Sequence, residues 1–172
     1  SGRYKVIANI PYYITAPIIR TLLSLSVPPQ SLTLMVQDEV AERLAAPPGD
    51  MSLLSVMAQY YADVEKKLFV PKESFDPMPQ VDSAVIHIVP KRVYDKENDR
   101  KIFRLVRAGF AARRKTLANN LSTSLTMSRA EVETILETVG LRKDIRAQAL
   151  SVDQWIVLST EFSHWEKKEG AS

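Results

Sequence analysis

An α/β unit followed by a small all-helical unit is the fold class that this sequence predicts, on three observations. Short apolar or β-branched runs alternate with helix-like segments from residue 4 to residue 90, whereas beyond residue 97 every periodic segment has helical spacing. The composition, 45% hydrophobic and 25% charged over 172 residues, is that of a globular chain. The character changes within "KRVYDKEND", so a boundary is expected near residues 91–97, dividing the chain into 1–93 and 94–172.

Each element has a local reason. "YKVIANI" reads as a strand. "TAPIIRTLLSL" reads as a helix, with Thr15 as its expected N-cap and Pro17 in its first turn. After the "VPPQ" turn, "SLTLMVQ" is a strand expected to be buried on both faces. "DEVAERLAA" opens with acids, which the helix macrodipole favours, so Asp38, Glu39 and Glu42 read as helix-start residues rather than acid–base catalysts. "PPGD" breaks the chain, and "MSLLSVMAQYYA" is a third helix. "DVEKKLFVP" and "DSAVIHIVP" are strands joined by the proline-rich "PKESFDPMPQV". Strands alternating with helices imply a mostly parallel sheet. The second part is expected to form helices at 98–111, 115–125, 128–139 and 151–165. Ser128 and Glu131 have capping-box spacing, and Gly140 ends that helix.

Composition excludes several kinds of chemistry. There is no cysteine, hence no disulfide or thiolate site, and His87 and His164 lie far apart, so no metal site is expected. No apolar run approaches the ~20 residues of a membrane span, and no signal peptide is recognisable; a cytoplasmic protein without membrane contact is expected. Charge is uneven. Residues 1–90 carry 7 basic and 9 acidic side chains, and residues 91–172 carry 16 and 11. Between Arg100 and Lys115 there are seven basic residues and no acid, so the second part is where an anionic partner would bind. Only five glycines occur, none within a turn of another, so the phosphate-binding loop that usually opens a nucleotide-binding sheet is missing. The sequence reads as if it starts in the middle of a domain.

The run "ANIPYYI" needs explaining, because a buried strand ends there in an amide, a proline and an aromatic ring. Taken alone it reads as a turn; Phe75 alone reads as a core aromatic, and "RRK" alone as a solvated face. Taken together, the segments "NIPYYI", "MVQDEVAERLAAPPGD", "LSVMAQYYADVE", "VPKESFDPMPQVDSAVIHIVP", "FAARRKTLANNL" and "IRAQALSVDQWIVLS" resemble, in order, those of the bacterial-type ribosomal RNA small-subunit adenine-N6,N6-dimethyltransferases. The similarity runs over nearly the whole chain.

The resemblance implies the C-terminal half of a Rossmann-like methyltransferase sheet over 1–93, on the target-base side, and a helical rRNA-binding domain over 94–172. It implies transfer of methyl groups from S-adenosylmethionine to N6 of two adjacent adenines near the 3′ end of small-subunit rRNA. Asn9, the carbonyl of Ile10, Pro11, Tyr12 and Phe75 would form the catalytic site, with Asn9 also touching the donor. The N6 nitrogen is a poor nucleophile because its lone pair is delocalised into the ring. Two acceptors on the N6 hydrogens would localise that pair, while Tyr12 and Phe75 sandwich an unstacked base. Arg107, Arg113, Arg114 and Lys115 would meet rRNA phosphates. The partner would be small-subunit rRNA in a pre-30S particle. The donor loop and the ribose-binding acid of the family are absent, so the chain alone is expected to be inactive. Two other readings stay open: a non-catalytic rRNA- or ribosome-binding module, and a large-subunit rRNA methyltransferase of the resistance type. The first strand is expected to have an open edge that invites a dimer, a swapped element or aggregation.

Overall fold

The computed structural model describes residues 4–91 and 95–169; the side chains of Tyr12 and of residues 167–169 lie outside that description. The residues 92–94, within the expected boundary, are also outside it. The chain divides into two compact units. One comprises Ser1–Ala46 and Met57–Tyr94, and the other comprises Pro47–Val56 and Asp95–Ser172.

The first unit is built on a sheet of β1 (Lys5–Asn9), β2 (Ser31–Gln37), β3 (Ala62–Val70) and β4 (Ser83–Pro90), in the order β1-β2-β4-β3. Helices α1 (Thr15–Leu23), α2 (Asp38–Leu44) and α3 (Leu53–Tyr61) lie between the first three strands in sequence. The expectation of a mostly parallel sheet needs correction. β1 and β2 are parallel, but β4 is antiparallel to both β2 and β3. No crossover helix separates β3 from β4, so β4 returns antiparallel and inserts between two strands that share a direction.

β2 alternates more than its sequence suggests. Leu32, Leu34 and Val36 are fully buried with Ile86 and Ile88 on one face. Ser31, Thr33, Met35 and Gln37 are only half-buried on the other. On that second face Thr33 Oγ1 and His87 Nδ1 are 3.0 Å apart. Ile7 of β1 is 83% exposed, and β1 is the edge of the described sheet. α2 packs against β2, β3 and β4 through the buried Ala41 and Leu44. Its first-turn Asp38 pairs with Lys66 of β3 at 2.6 Å, and Glu42 pairs with the same ammonium at 3.3 Å. Thr15 is not an N-cap. It is buried within the first turn of α1, which grows directly out of a 3-10 turn at Tyr12–Ile14 and needs no side-chain cap.

The second unit contains α4 (Lys96–Gly109), α5 (Leu117–Leu125), α6 (Arg129–Thr138) and α7 (Val152–Glu169). Their apolar faces bury Val106, Leu117, Leu121, Leu136 and Leu158 around the fully buried Trp155. Gly109 is required where α4 meets that indole, because a Cβ there would lie 2.5 Å from Trp155 Cη2. α4 begins earlier than its periodicity suggests. Asp95 caps it, accepting from the backbone N–H groups of Glu97 and Asn98 at 3.1 and 3.3 Å. α6 carries the expected capping box: Ser128 N–H donates to Glu131 Oε2 at 2.7 Å, and Glu131 N–H donates to Ser128 Oγ at 3.2 Å. Gly140, with φ +75°, follows α6, and Leu141 N–H returns to the Leu136 carbonyl at 2.8 Å.

Candidate functional site

Strand direction decides where chemistry can collect. β1 ends at Asn9 opposite Met35, while Ser83, the first residue of β4, sits opposite both Gln37 and Val70. The carboxyl ends of β1, β2 and β3 therefore lie at one end of the sheet, together with the 71–82 connection. In open α/β sheets that end is where ligands bind.

The chain leaves β1 under two constraints. The Ile10 N–H donates to the Met35 carbonyl at 3.3 Å and its side chain is 3% exposed, which anchors the exit. Pro11, at φ −56° and ψ 131°, then turns the backbone, and its carbonyl accepts from Ile14 N–H at 3.1 Å. Asn9 and Pro11 are left exposed on either side of the buried isoleucine. Among the described residues no side chain hydrogen-bonds the Asn9 amide, so its polar atoms remain available.

Opposite lies the 71–82 connection, which holds its own shape. Asp82 accepts from Lys72 N–H at 2.9 Å through its carboxylate, and its carbonyl accepts from Asp38 N–H at 3.0 Å. Ser74 N–H donates to Pro71 O at 3.0 Å and Phe75 N–H to Lys72 O at 3.2 Å. Phe75 is thereby set half-buried at the start of an extended stretch, followed by a cis Asp76–Pro77 bond.

Asn9, Ile10, Pro11, Phe75, Pro77 and Pro79 line one cavity of about 300 Å³. That is at the lower end of the ~300–1,000 Å³ range of small-molecule clefts. Among the described residues its walls are apolar side chains and one amide, which suits it to holding a flat polar ring. Four of the five residues expected at the catalytic site are brought together here. The ring of Tyr12, expected as the second wall, lies outside the described residues. Asp82, which fixes the loop, lies in one of the segments that carry the family resemblance but is not among the residues expected at the site.

The basic residues belong to the second unit. Arg107 is exposed in the last turn of α4. Arg113, Arg114 and Lys115 are exposed in the turn between α4 and α5, not at a helix start as expected. α5 begins at Leu117, with Thr116 Oγ1 accepting from Asn119 N–H at 3.3 Å. Three cations in a first turn would oppose the helix dipole, which the turn avoids. The buried Asn120 closes that turn, its Nδ2 donating to the carbonyls of Gly109 at 2.6 Å and Ala112 at 3.0 Å. None of these four cations makes an ion pair among the described residues.

The described residues do not fit the body of a methyl donor. Gly49, Gly109 and Gly140 stand singly, outside any strand-to-helix turn, and offer no cradle of backbone N–H groups. Among the described residues no cluster of His, Asp and Glu could hold a metal ion, and no helix is long and apolar enough to cross a membrane.

The model of the family described as "Ribosomal RNA adenine dimethylase" matches residues 1–164. "Ribosomal RNA small subunit methyltransferase A" of Clostridioides difficile (strain 630) is 41% identical over 162 residues, covering 92% of this chain and 56% of that protein. The protein of the same name from Bacillus cytotoxicus is 42% identical over 161 residues, covering 90% of this chain and 55% of its own length. The chain thus spans about half the length of the curated relatives it matches. Among solved structures, a dimethyladenosine transferase from Plasmodium falciparum superposes with a TM-score of 0.81 at 26% identity, covering 95% of this chain and 68% of that one. The 23S rRNA methyltransferase ErmE superposes with a TM-score of 0.72 at 22% identity, covering 94% and 66%, a likeness of fold. The first unit is accordingly part of a Rossmann-like methyltransferase sheet, and with residues 1–164 of its 172 matched by the family model, this chain belongs to the ribosomal RNA adenine dimethylase family.

Proposed function

We propose that this chain supplies the acceptor side of an rRNA adenine-N6,N6-dimethyltransferase, holding each of two adjacent adenines near the 3′ end of small-subunit rRNA. The single observation that carries this reading is the cavity shared by Asn9, Ile10, Pro11, Phe75, Pro77 and Pro79. A purine extruded from its stack enters that cavity against Phe75, with Tyr12 as the opposing ring. Asn9 Oδ1 and the Ile10 carbonyl accept the two N6 hydrogens. These acceptors pull the nitrogen towards a tetrahedral shape and localise its lone pair, and they favour the positive charge that grows on N6 as a bond to carbon forms. One N6 proton leaves for every methyl gained. S-adenosylmethionine would supply the methyl group from its sulfonium, with Asn9 at the donor's edge and the remaining donor contacts outside this chain. Arg107, Arg113, Arg114 and Lys115 supply affinity for rRNA phosphates with little sequence information. The small-subunit assignment is supported by the names of the relatives. A cytoplasmic setting, in contact with pre-30S particles, follows from that substrate.

The direct test uses two short unpaired oligoribonucleotides that differ only at one base, adenosine or N6,N6-dimethyladenosine. The protein should prefer the adenosine probe, and Asn9→Ala should remove the preference. Equal affinity of the unaltered protein for both probes would refute the base-site assignment.

A second reading, a non-catalytic rRNA-binding module, is favoured by the lack of a glycine cradle among the described residues. Calorimetry with S-adenosylmethionine separates the two for these 172 residues, since micromolar binding would count against the module. The open edge of β1, with Ile7 exposed, also supports self-association through that strand. A monomer at high concentration in sedimentation equilibrium would exclude it.

A further inference from the structure

A second cavity of the first unit lies on α1. It measures about 470 Å³ and is lined by Ala16, Pro17, Arg20, Thr21, Ser24 and Met57. Four features argue that it is built for a strand of nucleic acid.

The first is position. α1 follows the base site directly, its first residue lying four residues beyond Pro11. Pro17, Arg20 and the C-cap Ser24 recur at helical spacing and share one face of α1, and Tyr13 stands in the 3-10 turn that leads into that helix.

The second is the aromatic at the head of the stripe. Tyr13 is 85% exposed, yet the turn that bears it is fixed by the Ile14 N–H bond to the Pro11 carbonyl. A large ring held in water on a fixed turn is a ready stacking surface for a base, and stacking tolerates any base.

The third is charge. Several other cations of this unit are occupied: Lys66 with Asp38 and Glu42, Lys67 with Glu65, and Lys91 with Asp63. Arg20 is exposed and makes no ion pair among the described residues. It stands in a stretch, residues 1–90, whose acidic side chains outnumber its basic ones by nine to seven.

The fourth is the company that charge keeps. Thr21 and Ser24 add two hydroxyls to the same wall, and Ser24 Oγ donates to the Thr21 carbonyl at 3.2 Å, which leaves its lone pairs open. Ala16, Pro17 and Met57 make the remaining wall apolar. A guanidinium with hydroxyls beside an apolar wall matches a phosphodiester and its ribose.

We propose that the exposed face of α1 carries the single-stranded RNA leaving the base site: Tyr13 stacks the unpaired nucleotide next to the target adenine, Arg20, with the Thr21 hydroxyl, holds a following phosphate, and the Ser24 hydroxyl oxygen accepts from a ribose 2′-OH. The proposal rests on reading the Asn9–Phe75 cavity as the base site, and it extends that site from one base to a short unpaired segment. Tyr13 and Arg20 act here as positioning residues.

The experiment measures anisotropy of a labelled unpaired hexaribonucleotide containing one adenosine, for the unaltered protein and for Tyr13→Ala, Tyr13→Phe, Arg20→Gln and Arg20→Lys. Tyr13→Ala should weaken binding roughly tenfold, within the range of one lost base stack, whereas Tyr13→Phe should not. Arg20→Gln should weaken binding and lower the slope of log K against log salt by about 0.7, the increment for one phosphate on a single strand. Arg20→Lys should restore the slope. Both side chains are exposed, so these changes leave the core intact. Unaltered affinity in Tyr13→Ala, or an unaltered salt slope in Arg20→Gln, overturns the proposal. The Asn9→Ala preference test is read on the same probe, so failure of the strand path and failure of the base site give different patterns.

Discussion

Gly109→Ala is a sharp test of how the helical unit is packed, because two opposing effects can be weighed. On an isolated helix the change would stabilise, by ~1 kcal/mol of propensity. Here the new methyl would sit 2.5 Å from Trp155 Cη2, 2.9 Å from Leu117 Cδ1 and 3.3 Å from Trp155 Cζ3. Neither partner can withdraw, since both are fully buried, and the Phe110 ring lies 5.8 Å from the indole. Overpacking a dense core costs about 1–3 kcal/mol, with the upper end suited to approaches this short against a rigid ring. The net expectation is destabilisation by roughly 1–2 kcal/mol, the clash outweighing propensity. For a chain of this size that lowers Tm by about 2–8 °C. Thermal unfolding followed by tryptophan fluorescence reads the change directly. An unchanged or raised Tm would refute the packing argument, and with it the explanation of what fixes the end of α4 from which the basic turn departs.

Two further expectations concern the same unit. Backbone N–H groups of Asn98 and Glu97, together with the Asn98 side chain, hold the Asp95 carboxyl below its ordinary value of 3.8. A depressed folded-state value means that this cap stabilises fully above pH ~4 and is lost as pH falls through the folded-state value. Asp95→Asn should therefore flatten the acid limb of α4 stability, followed by helical circular dichroism, and an identical limb in both proteins would contradict the capping role. Replacing Arg113, Arg114 and Lys115 singly by Gln should lower the slope of log K against log salt for rRNA by about 0.7–0.9 for each phosphate no longer neutralised. Unchanged slopes would remove these residues from the RNA interface.

The succession of elements is legible because periodicity, prolines and caps are local signals. "SRAEVETIL" carries its own capping box, and the break at "PPGD" separates α2 from α3. The direction of β4 is not legible. Apolar alternation in "SAVIHIVP" is the same for either direction, and only the absence of a helix in the preceding connection points to an antiparallel return. The turn at 110–116 is longer than the gap at 112–114 that the sequence leaves between two helices, because its flanking apolar residues keep helical spacing. What bends it is the Asn120 amide, which bonds two carbonyls 8 and 11 residues earlier, a long-range interaction that no local pattern announces. The site is legible only in part. "NIPYYI" marks a strand exit, but nothing local joins it to a phenylalanine 66 residues beyond Asn9. Their meeting depends on strand order and direction, since pairing through β2 brings the end of β1 and the start of β4 to the same end of the sheet. The family resemblance supplies that link; the Asp82 carboxylate that steadies the loop lies within the same resembling segment, but its bond to the Lys72 N–H has no local signal.

The central claim is that Asn9 acts on the N6 amine of a bound adenine. It is tested most directly by assaying methyl transfer to small-subunit rRNA in the full-length gene product carrying Asn9→Ala, with RNA affinity measured on the same preparation. Transfer should fall by roughly 10²–10³-fold, the scale of one lost transition-state hydrogen bond, with affinity nearly unchanged. Undiminished transfer, or parallel loss of transfer and affinity, would contradict it.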